Sequence, residues 1–187
     1  MEETMREKKI STKQMAFVAL MAAVICILAP ISIPIGPVPI SLTNLVLYFT
    51  IYLIGTKSAV CSYIIYLLLG TVGLPVFSGF TGGVGKLIGP TGGYLIGFIP
   101  MIIIAGIIIE HSHDNKIIEM IGMILATAVC YLIGTLYLSY STNMSFKAAL
   151  IAGVLPFIAE DIIKMIIAMI LGRKVKSRLK ILGSVGD

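Results

Sequence analysis

Six long apolar stretches, separated by polar or Gly/Pro-rich breaks, follow one another along the chain. A helix that crosses the hydrocarbon core of a membrane needs about 20 mostly apolar residues. The stretches predict spans at roughly 14–30, 42–55, 58–75, 92–110, 117–139 and 147–172. The second stretch is short, so we expect it to be tilted or to borrow residues from the preceding loop. The pattern predicts an all-α, polytopic membrane protein with six transmembrane helices.

Two of the breaks are long and differ in chemistry. ISIPIGPVPIS (31–41) carries several prolines, which fix φ and favour a stiff, extended path. The segment 76–91 is rich in glycine, so its backbone can turn tightly and approach another group closely. Both loops are expected on the same side of the membrane. They predict the mouth of a small-molecule pocket, and the alternative is that both are ordinary connections.

Composition agrees with a membrane protein. Hydrophobic residues make up 58% of the 187 residues and charged residues only 12%, whereas soluble domains are nearer half apolar and a quarter charged. The three cysteines lie in separate apolar runs without metal spacing, and we expect no cofactor or metal site. We expect the whole chain, 1–187, to form one integral membrane domain.

The basic residues predict the orientation. Eleven of the 14 Lys and Arg residues lie in the tails 1–13 and 173–187 or in the inner turns, at Lys57 and Lys116. Cytoplasmic segments carry an excess of Lys and Arg. We therefore expect both termini and both tails to be cytoplasmic, with loops 31–41 and 76–91 facing outward.

The glycine-rich loop contains GFTGGVGK (79–86), which resembles a phosphate-binding loop at first sight. The nucleotide-binding pattern needs four residues between its first glycine and the Gly-Lys pair, followed by Ser or Thr. Here five residues separate Gly79 from Gly85, and Leu87 follows Lys86. The sequence therefore argues against nucleotide binding by this chain.

The last predicted span contains three charged residues, Glu160, Asp161 and Lys164. A charge at the centre of a membrane helix costs about 2.5–3.5 kcal/mol on insertion scales, so it normally faces a cavity or a partner. Asp161 and Lys164 are three residues apart and share a helical face. They predict either a ligand site for a group with both N–H and C=O, or an ion pair with a structural role only. Glu160 points about 100° away, so we expect it to have a different partner or to lie at a water-lined edge.

The first span carries a small-xxx-small pair, Ala19 and Ala23. Small residues at this spacing let another helix approach closely. The spacing alone does not distinguish packing within this protein from contact with a partner.

Three segments together resemble the BioY family, the biotin-specific substrate-capture (S) components of energy-coupling factor (ECF) transporters. They are PVPISLTNL (37–45), GLPVFSGFTGGVGKLIGPTGGYLIGF (73–98) and VLPFIAEDIIK (154–164). The resemblance implies a six-helix membrane protein that binds biotin near its outer face. It implies assembly with a transmembrane coupling subunit and two ABC-type ATPases, and it favours a partner-helix interface at Ala19 and Ala23.

The resemblance also implies roles for individual residues. Asp161 would accept a hydrogen bond from the ureido group of biotin, and Lys164 would neutralise Asp161 and donate to the ligand. Tyr94 would stack on or cap the ligand, Asn44 and Thr43 would be secondary polar contacts, and Lys86 would receive the carboxylate tail. A lid loop would comprise Gly79, Gly82, Gly83, Gly85, Gly89, Pro90, Thr91, Gly92 and Gly93.

Three alternatives remain open from the sequence. The chain is an S component for another small vitamin, an intramembrane enzyme that uses Glu160 and Asp161 as acid and base, or a structural membrane subunit. Neither a nucleophile motif nor a metal cluster supports the enzyme, and we expect none.

Overall fold

The computed structural model describes residues 11–181, and this part of the chain is almost entirely helical. It contains seven helices: α1 (Thr12–Leu28), α2 (Thr43–Val72), α3 (Val84–Ile88), α4 (Gly92–His111), α5 (Lys116–Thr142), α6 (Phe146–Gly153) and α7 (Ile158–Ile181). Two short strands, β1 (Ser32–Ile33) and β2 (Ile40–Ser41), lie between α1 and α2. The predicted tails 1–13 and 173–187 lie partly outside the described residues, and the second begins inside α7.

Helix α2 reverses direction at Gly55, whose φ of 76° and ψ of 171° are not helical. Before this residue, the Tyr52 hydroxyl donates to Glu119 in the first turn of α5 (2.9 Å). After it, the Tyr63 hydroxyl donates to the carbonyl of Leu95, near the start of α4 (2.7 Å). The start of α4 and the start of α5 lie at opposite ends of the bundle, because α4 runs from one to the other. Asn44 near the start of α2 and Tyr66 after Gly55 line the same cavity, so the two halves of α2 run in opposite directions.

A carboxylate from another helix caps the second half of α2. Glu110, near the end of α4, accepts hydrogen bonds from the backbone N–H and the hydroxyl of Thr56, both at 2.7 Å. These groups have no partner within α2, because the helix is interrupted at Gly55. A Cβ at position 55 would also lie 3.2 Å from the Glu110 carboxylate, and its φ is positive, so glycine suits this turn.

The predicted span 147–172 is divided into two helices in the structure. The chain turns between α6 and α7, at residues 154–157. Pro156 has no backbone N–H and disfavours a helical conformation of the residue before it. The turn is closed by hydrogen bonds from Leu155 N to the Leu150 carbonyl and from Phe157 N to the Val154 carbonyl.

A buried polar cluster joins α7 to the end of the bundle opposite the hairpin. Glu119 is only 2% exposed and accepts hydrogen bonds from Tyr52 and from the Ser112 hydroxyl (3.0 Å). Arg173 of α7 donates to Glu119 (3.2 Å) and to the Asp114 carboxylate (2.9 Å). A buried carboxylate needs such partners, and here they fix the far end of α7 against the α4–α5 turn.

The two long loops meet at the other end of the bundle. The proline-rich loop forms an antiparallel hairpin in which Ser32 pairs with Ser41 and Ile33 with Ile40. The glycine-rich segment touches this hairpin, because Gly79 N donates to the Pro30 carbonyl (2.9 Å). The segment is not irregular throughout, because it contains helix α3.

Three helices of the described chain, α2, α4 and α5, are long and apolar enough to cross a membrane by length and composition. Helix α1 is a shorter apolar helix of 17 residues. Large hydrophobic side chains, including Leu20, Ile27, Leu125 and Ile170, are more than half exposed on the outside of the bundle. Such a surface fits lipid rather than water as the surrounding solvent.

The Glu110 cap gives a first testable prediction. We expect Glu110→Ala to lower the free energy of unfolding by about 1–2 kcal/mol, because Thr56 loses the acceptor for two hydrogen bonds. Denaturation of the purified protein in detergent measures this. Glu110→Gln keeps one carbonyl oxygen and serves as the matched control, with a smaller loss expected. An Ala variant as stable as the wild type would contradict the capping role.

Candidate functional site

A cavity lies between α2, α4, α5 and α7, beneath the β hairpin. Its empty volume is about 680 Å³, counting the open space at its mouth. Apolar side chains from the hairpin loop, from α4 and from the turn before α7 line it, namely Val38, Pro39, Leu95, Phe98, Met101 and Phe157. Its polar lining comprises Ser41, Thr43, Asn44, Tyr66, Ser78, Thr91, Tyr94, Thr127, Tyr131, Glu160, Asp161 and Lys164. An apolar pocket with a few converging polar groups is typical of small-ligand sites.

The charged residues of the last predicted span meet in this cavity. Lys164 Nζ lies 2.6 Å from Glu160 Oε2 and 3.6 Å from Asp161 Oδ1. It also donates to the carbonyl of Ser41 in the hairpin, at 2.6 Å. Of the two expectations for Glu160, that of a partner different from Lys164 is wrong. Residues four apart on a helix are neighbours as well as residues three apart, so one ammonium serves both carboxylates.

Asp161 is held by two helices. It is 6% exposed, and its Oδ2 accepts a short hydrogen bond from the Tyr131 hydroxyl of α5. Both Glu160 and Asp161 lie in the first turn of α7, where the partial positive charge of the helix end favours carboxylates. The turn before α7 therefore places two acidic groups at a helix start inside the cavity.

Tyr94 is fixed in the cavity wall by small neighbours. Its hydroxyl donates to the Gly153 carbonyl (3.1 Å), and its ring packs against Gly134 and Gly153, where any Cβ would overlap the tyrosine. Tyr94 is 7% exposed. It presents a rigid aromatic surface to the cavity rather than a mobile cap.

The start of α2 supplies two further polar residues. Thr43 is bonded to the hairpin, because its hydroxyl accepts from the Ser41 hydroxyl at 3.0 Å. Asn44 is 6% exposed, and its amide oxygen has no hydrogen-bond partner among the described residues. A buried oxygen without a partner at a cavity wall is suited to accept a hydrogen bond from a ligand.

Five of the six predicted ligand contacts thus line one cavity: Asp161, Lys164, Tyr94, Asn44 and Thr43. Lys86 does not line it. This residue lies on α3, where partial burial lowers the pKa of its ammonium group.

The predicted lid residues do not form a single flexible loop. Gly83 and Gly89 flank α3 and Gly85 lies within it, while Gly92 and Gly93 begin α4. A Cβ at Gly82, Gly92 or Gly93 would overlap a neighbouring residue, so these glycines allow close packing. Gly79 and Gly83 have positive φ and allow tight turns. Pro90 precedes Thr91, the lid residue that lines the cavity.

The predicted partner-helix residues lie on the surface. Ala19 and Ala23 are exposed on α1, whereas the adjacent Ala22 is buried. The side of α1 that carries the two exposed alanines is therefore not used for packing within this chain.

Two tyrosines of the cavity wall were not predicted from the sequence. Tyr66 and Tyr131 line the cavity, yet both stand in apolar runs that contain several tyrosines. The sequence carries no signal that separates the tyrosines of the cavity from those elsewhere in the bundle.

Comparisons with known proteins agree on one family. The BioY family model matches residues 3–181. A probable biotin transporter BioY of Pyrococcus horikoshii is 36% identical over 167 residues, covering 89% of this chain and 98% of the relative. A biotin transporter BioY of Thermotoga maritima is 33% identical, covering 88% and 96%. A crystal structure of the S component for biotin from an ECF-type ABC transporter has a TM-score of 0.82 and 32% identity, covering 88% of this chain and 91% of that one.

The shared lysine gives a second testable prediction. Lys164→Met removes the cation between the buried Asp161 carboxylate and the partly buried Glu160 carboxylate, and we expect it to lower the free energy of unfolding by about 3 kcal/mol. Thermal and denaturant unfolding in detergent measure the loss. The triple variant Glu160→Gln/Asp161→Asn/Lys164→Met, which carries no charge at these positions, should recover most of it. A Lys164→Met protein of unchanged stability would show that the ammonium is not needed there.

Proposed function

This chain belongs to the BioY family, and from this membership we propose that it captures biotin as the S component of an ECF-type ABC transporter. The observation that carries the proposal is the cavity itself. It combines buried hydrogen-bonding groups with apolar walls, inside a helical bundle whose outer surface is apolar. The related proteins are transporters, so the alternative of an enzyme that uses Glu160 and Asp161 has no support from them.

Biotin has a polar and an apolar part, which match the polar and the apolar residues that line the cavity. Its ureido group offers two N–H donors and one carbonyl, while the rest of the fused ring is apolar. Asp161 accepts one ureido N–H, and Lys164 balances the charge of this carboxylate and donates to a polar group of the ligand. Tyr94 packs against the ring system. Thr43 and Asn44 supply secondary polar contacts at the start of α2.

Lys86 would serve the other end of the ligand. The valerate tail of biotin ends in a carboxylate, and the half-buried Lys86 lies on the segment just before Thr91 of the cavity wall. A small movement of α3 toward the mouth would bring the two charges together. The turns at Gly79 and Gly83, both with positive φ, are suitable hinges for such a lid.

Six membrane passages account for the arrangement of the helices. The two halves of α2 run in opposite directions and form two passages, and α6 with α7 forms the last. Together with α1, α4 and α5 this gives six, with loops 31–41 and 76–91 on the side of the cavity mouth. The excess of Lys and Arg on the other side supports cytoplasmic termini and an outward-facing mouth.

Uptake against a gradient needs an energy source, which we assign to partner subunits. A transmembrane coupling subunit would contact α1 at Ala19 and Ala23, and two ABC-type ATPases would bind ATP. The exposed alanines of α1 support this contact, because small residues allow a partner helix to pack closely within the membrane.

The ligand site gives a third testable prediction. We expect Asp161→Asn to weaken biotin binding at least tenfold, because the charged acceptor of the ureido N–H is lost. Equilibrium binding of radiolabelled biotin to the purified protein measures the affinity. Asp114→Asn removes an acidic group at the opposite end of the bundle and serves as the control, with unchanged affinity expected. Equal affinity of Asp161→Asn and wild type would remove Asp161 from the site.

The partner surface gives a fourth. The double variant Ala19→Leu/Ala23→Leu should bind biotin normally but no longer copurify with a coupling subunit, because the larger side chains prevent close helix packing. Ala148→Leu, at an exposed alanine of α6, is the control and should assemble as the wild type does. Normal assembly of the double variant would place the partner elsewhere.

A further inference from the structure

Tyr66 is an exception among the buried tyrosines. Its side chain is fully buried and lines the cavity, yet its hydroxyl has no hydrogen-bond partner among the described residues. The other buried tyrosines in residues 11–181 all use their hydroxyl groups, namely Tyr48, Tyr52, Tyr63 and Tyr94. Buried polar groups are paired in the great majority of cases, so this unpaired hydroxyl calls for a partner that the protein does not supply.

The ring of Tyr66 cannot turn to find a partner elsewhere. It packs against Tyr63 at a centroid distance of 5.4 Å and edge-on against Phe77, also at 5.4 Å. Phe77 is itself held against Gly70, where any Cβ would overlap its ring. The position of the hydroxyl oxygen is therefore fixed by aromatic packing, which favours a preformed contact over an incidental one.

Asn44 is a second residue of the same cavity with an unpaired polar atom. Its amide oxygen is an acceptor without a partner, whereas the Tyr66 hydroxyl is a donor without one. Both residues come from α2, on opposite sides of its reversal at Gly55. A ligand that satisfies both must present an acceptor to Tyr66 and a donor to Asn44 within the same cavity.

We propose that the Tyr66 hydroxyl donates a hydrogen bond to the ureido carbonyl of the bound ligand, while the amide oxygen of Asn44 accepts one ureido N–H. This assignment rests on the proposed function and deepens it. Asp161 then accepts the second N–H, so that all three polar positions of the ureido group have partners. Tyr66 thereby selects for a cyclic urea among small apolar ligands, because a ligand without the carbonyl leaves the hydroxyl unpaired.

The test compares two tyrosines that lie three residues apart on α2. Tyr66→Phe keeps the ring and removes only the unpaired hydroxyl, so we expect the melting temperature without ligand to stay at or above that of the wild type. Its biotin affinity should fall tenfold or more. Tyr63→Phe is the matched control, because the Tyr63 hydroxyl bonds to the Leu95 carbonyl. We expect it to lower the melting temperature and leave the affinity of the folded protein within about twofold of wild type.

Desthiobiotin, which keeps the ureido group but lacks the sulfur, identifies the ligand atom. Tyr66→Phe should lose the same factor in affinity for desthiobiotin as for biotin. A loss confined to biotin would assign the hydroxyl to the sulfur and overturn the proposal. An unchanged affinity of Tyr66→Phe, with a wild type that binds biotin, would overturn the role of Tyr66 alone. A wild type that binds neither compound would overturn the proposed function as well.

Discussion

The rest of the arrangement depends on the contacts that the ammonium group of Lys164 makes. It lies between the carboxylates of Glu160 and Asp161 and reaches the carbonyl of Ser41 in the hairpin. Carboxylates in the apolar interior of a bundle are unfavourable unless a cation and hydrogen bonds compensate them. The same ammonium group also joins α7 to the hairpin over the cavity mouth. One group therefore balances the carboxylates of the site and holds the hairpin against α7.

The fold brings the necessary groups to this point by interrupting its helices. The reversal at Gly55 returns α2 to the cavity, where Asn44 and Tyr66 line the wall from opposite directions. The turn at residues 154–157 places Glu160 and Asp161 in the first turn of a new helix. At the far end, Arg173 and Glu119 fix the same helix against the α4–α5 turn. Irregular backbone is tolerated at membrane depth where it lines a cavity or is buried in protein, and the turn at residues 154–157 fits this rule because Gly153 and Phe157 line the cavity.

The sequence predicted those features whose energetic cost can be recognised from the order of the residues alone. Charges within an apolar span identified Asp161 and Lys164, and a turn between apolar stretches separated the two halves of α2. Which side chains form ion pairs was harder to predict. One expectation for Glu160 was a partner different from Lys164, yet both Glu160 and Asp161 pair with Lys164. The role of Tyr66 was not predictable, because whether a tyrosine hydroxyl finds a partner depends on side chains distant in sequence. The glycines of 79–93 were predicted as a lid, but several of them serve close packing, which depends on neighbours such as Tyr137.

The most direct measurement is a structure of the wild-type protein with biotin bound. The account predicts the ureido ring inside the cavity, with one ureido nitrogen about 2.7–3.2 Å from an Asp161 carboxylate oxygen and Lys164 still beside that carboxylate. Biotin bound outside this cavity would contradict the account. So would a bound structure in which Glu160, Asp161 and Lys164 contact only one another.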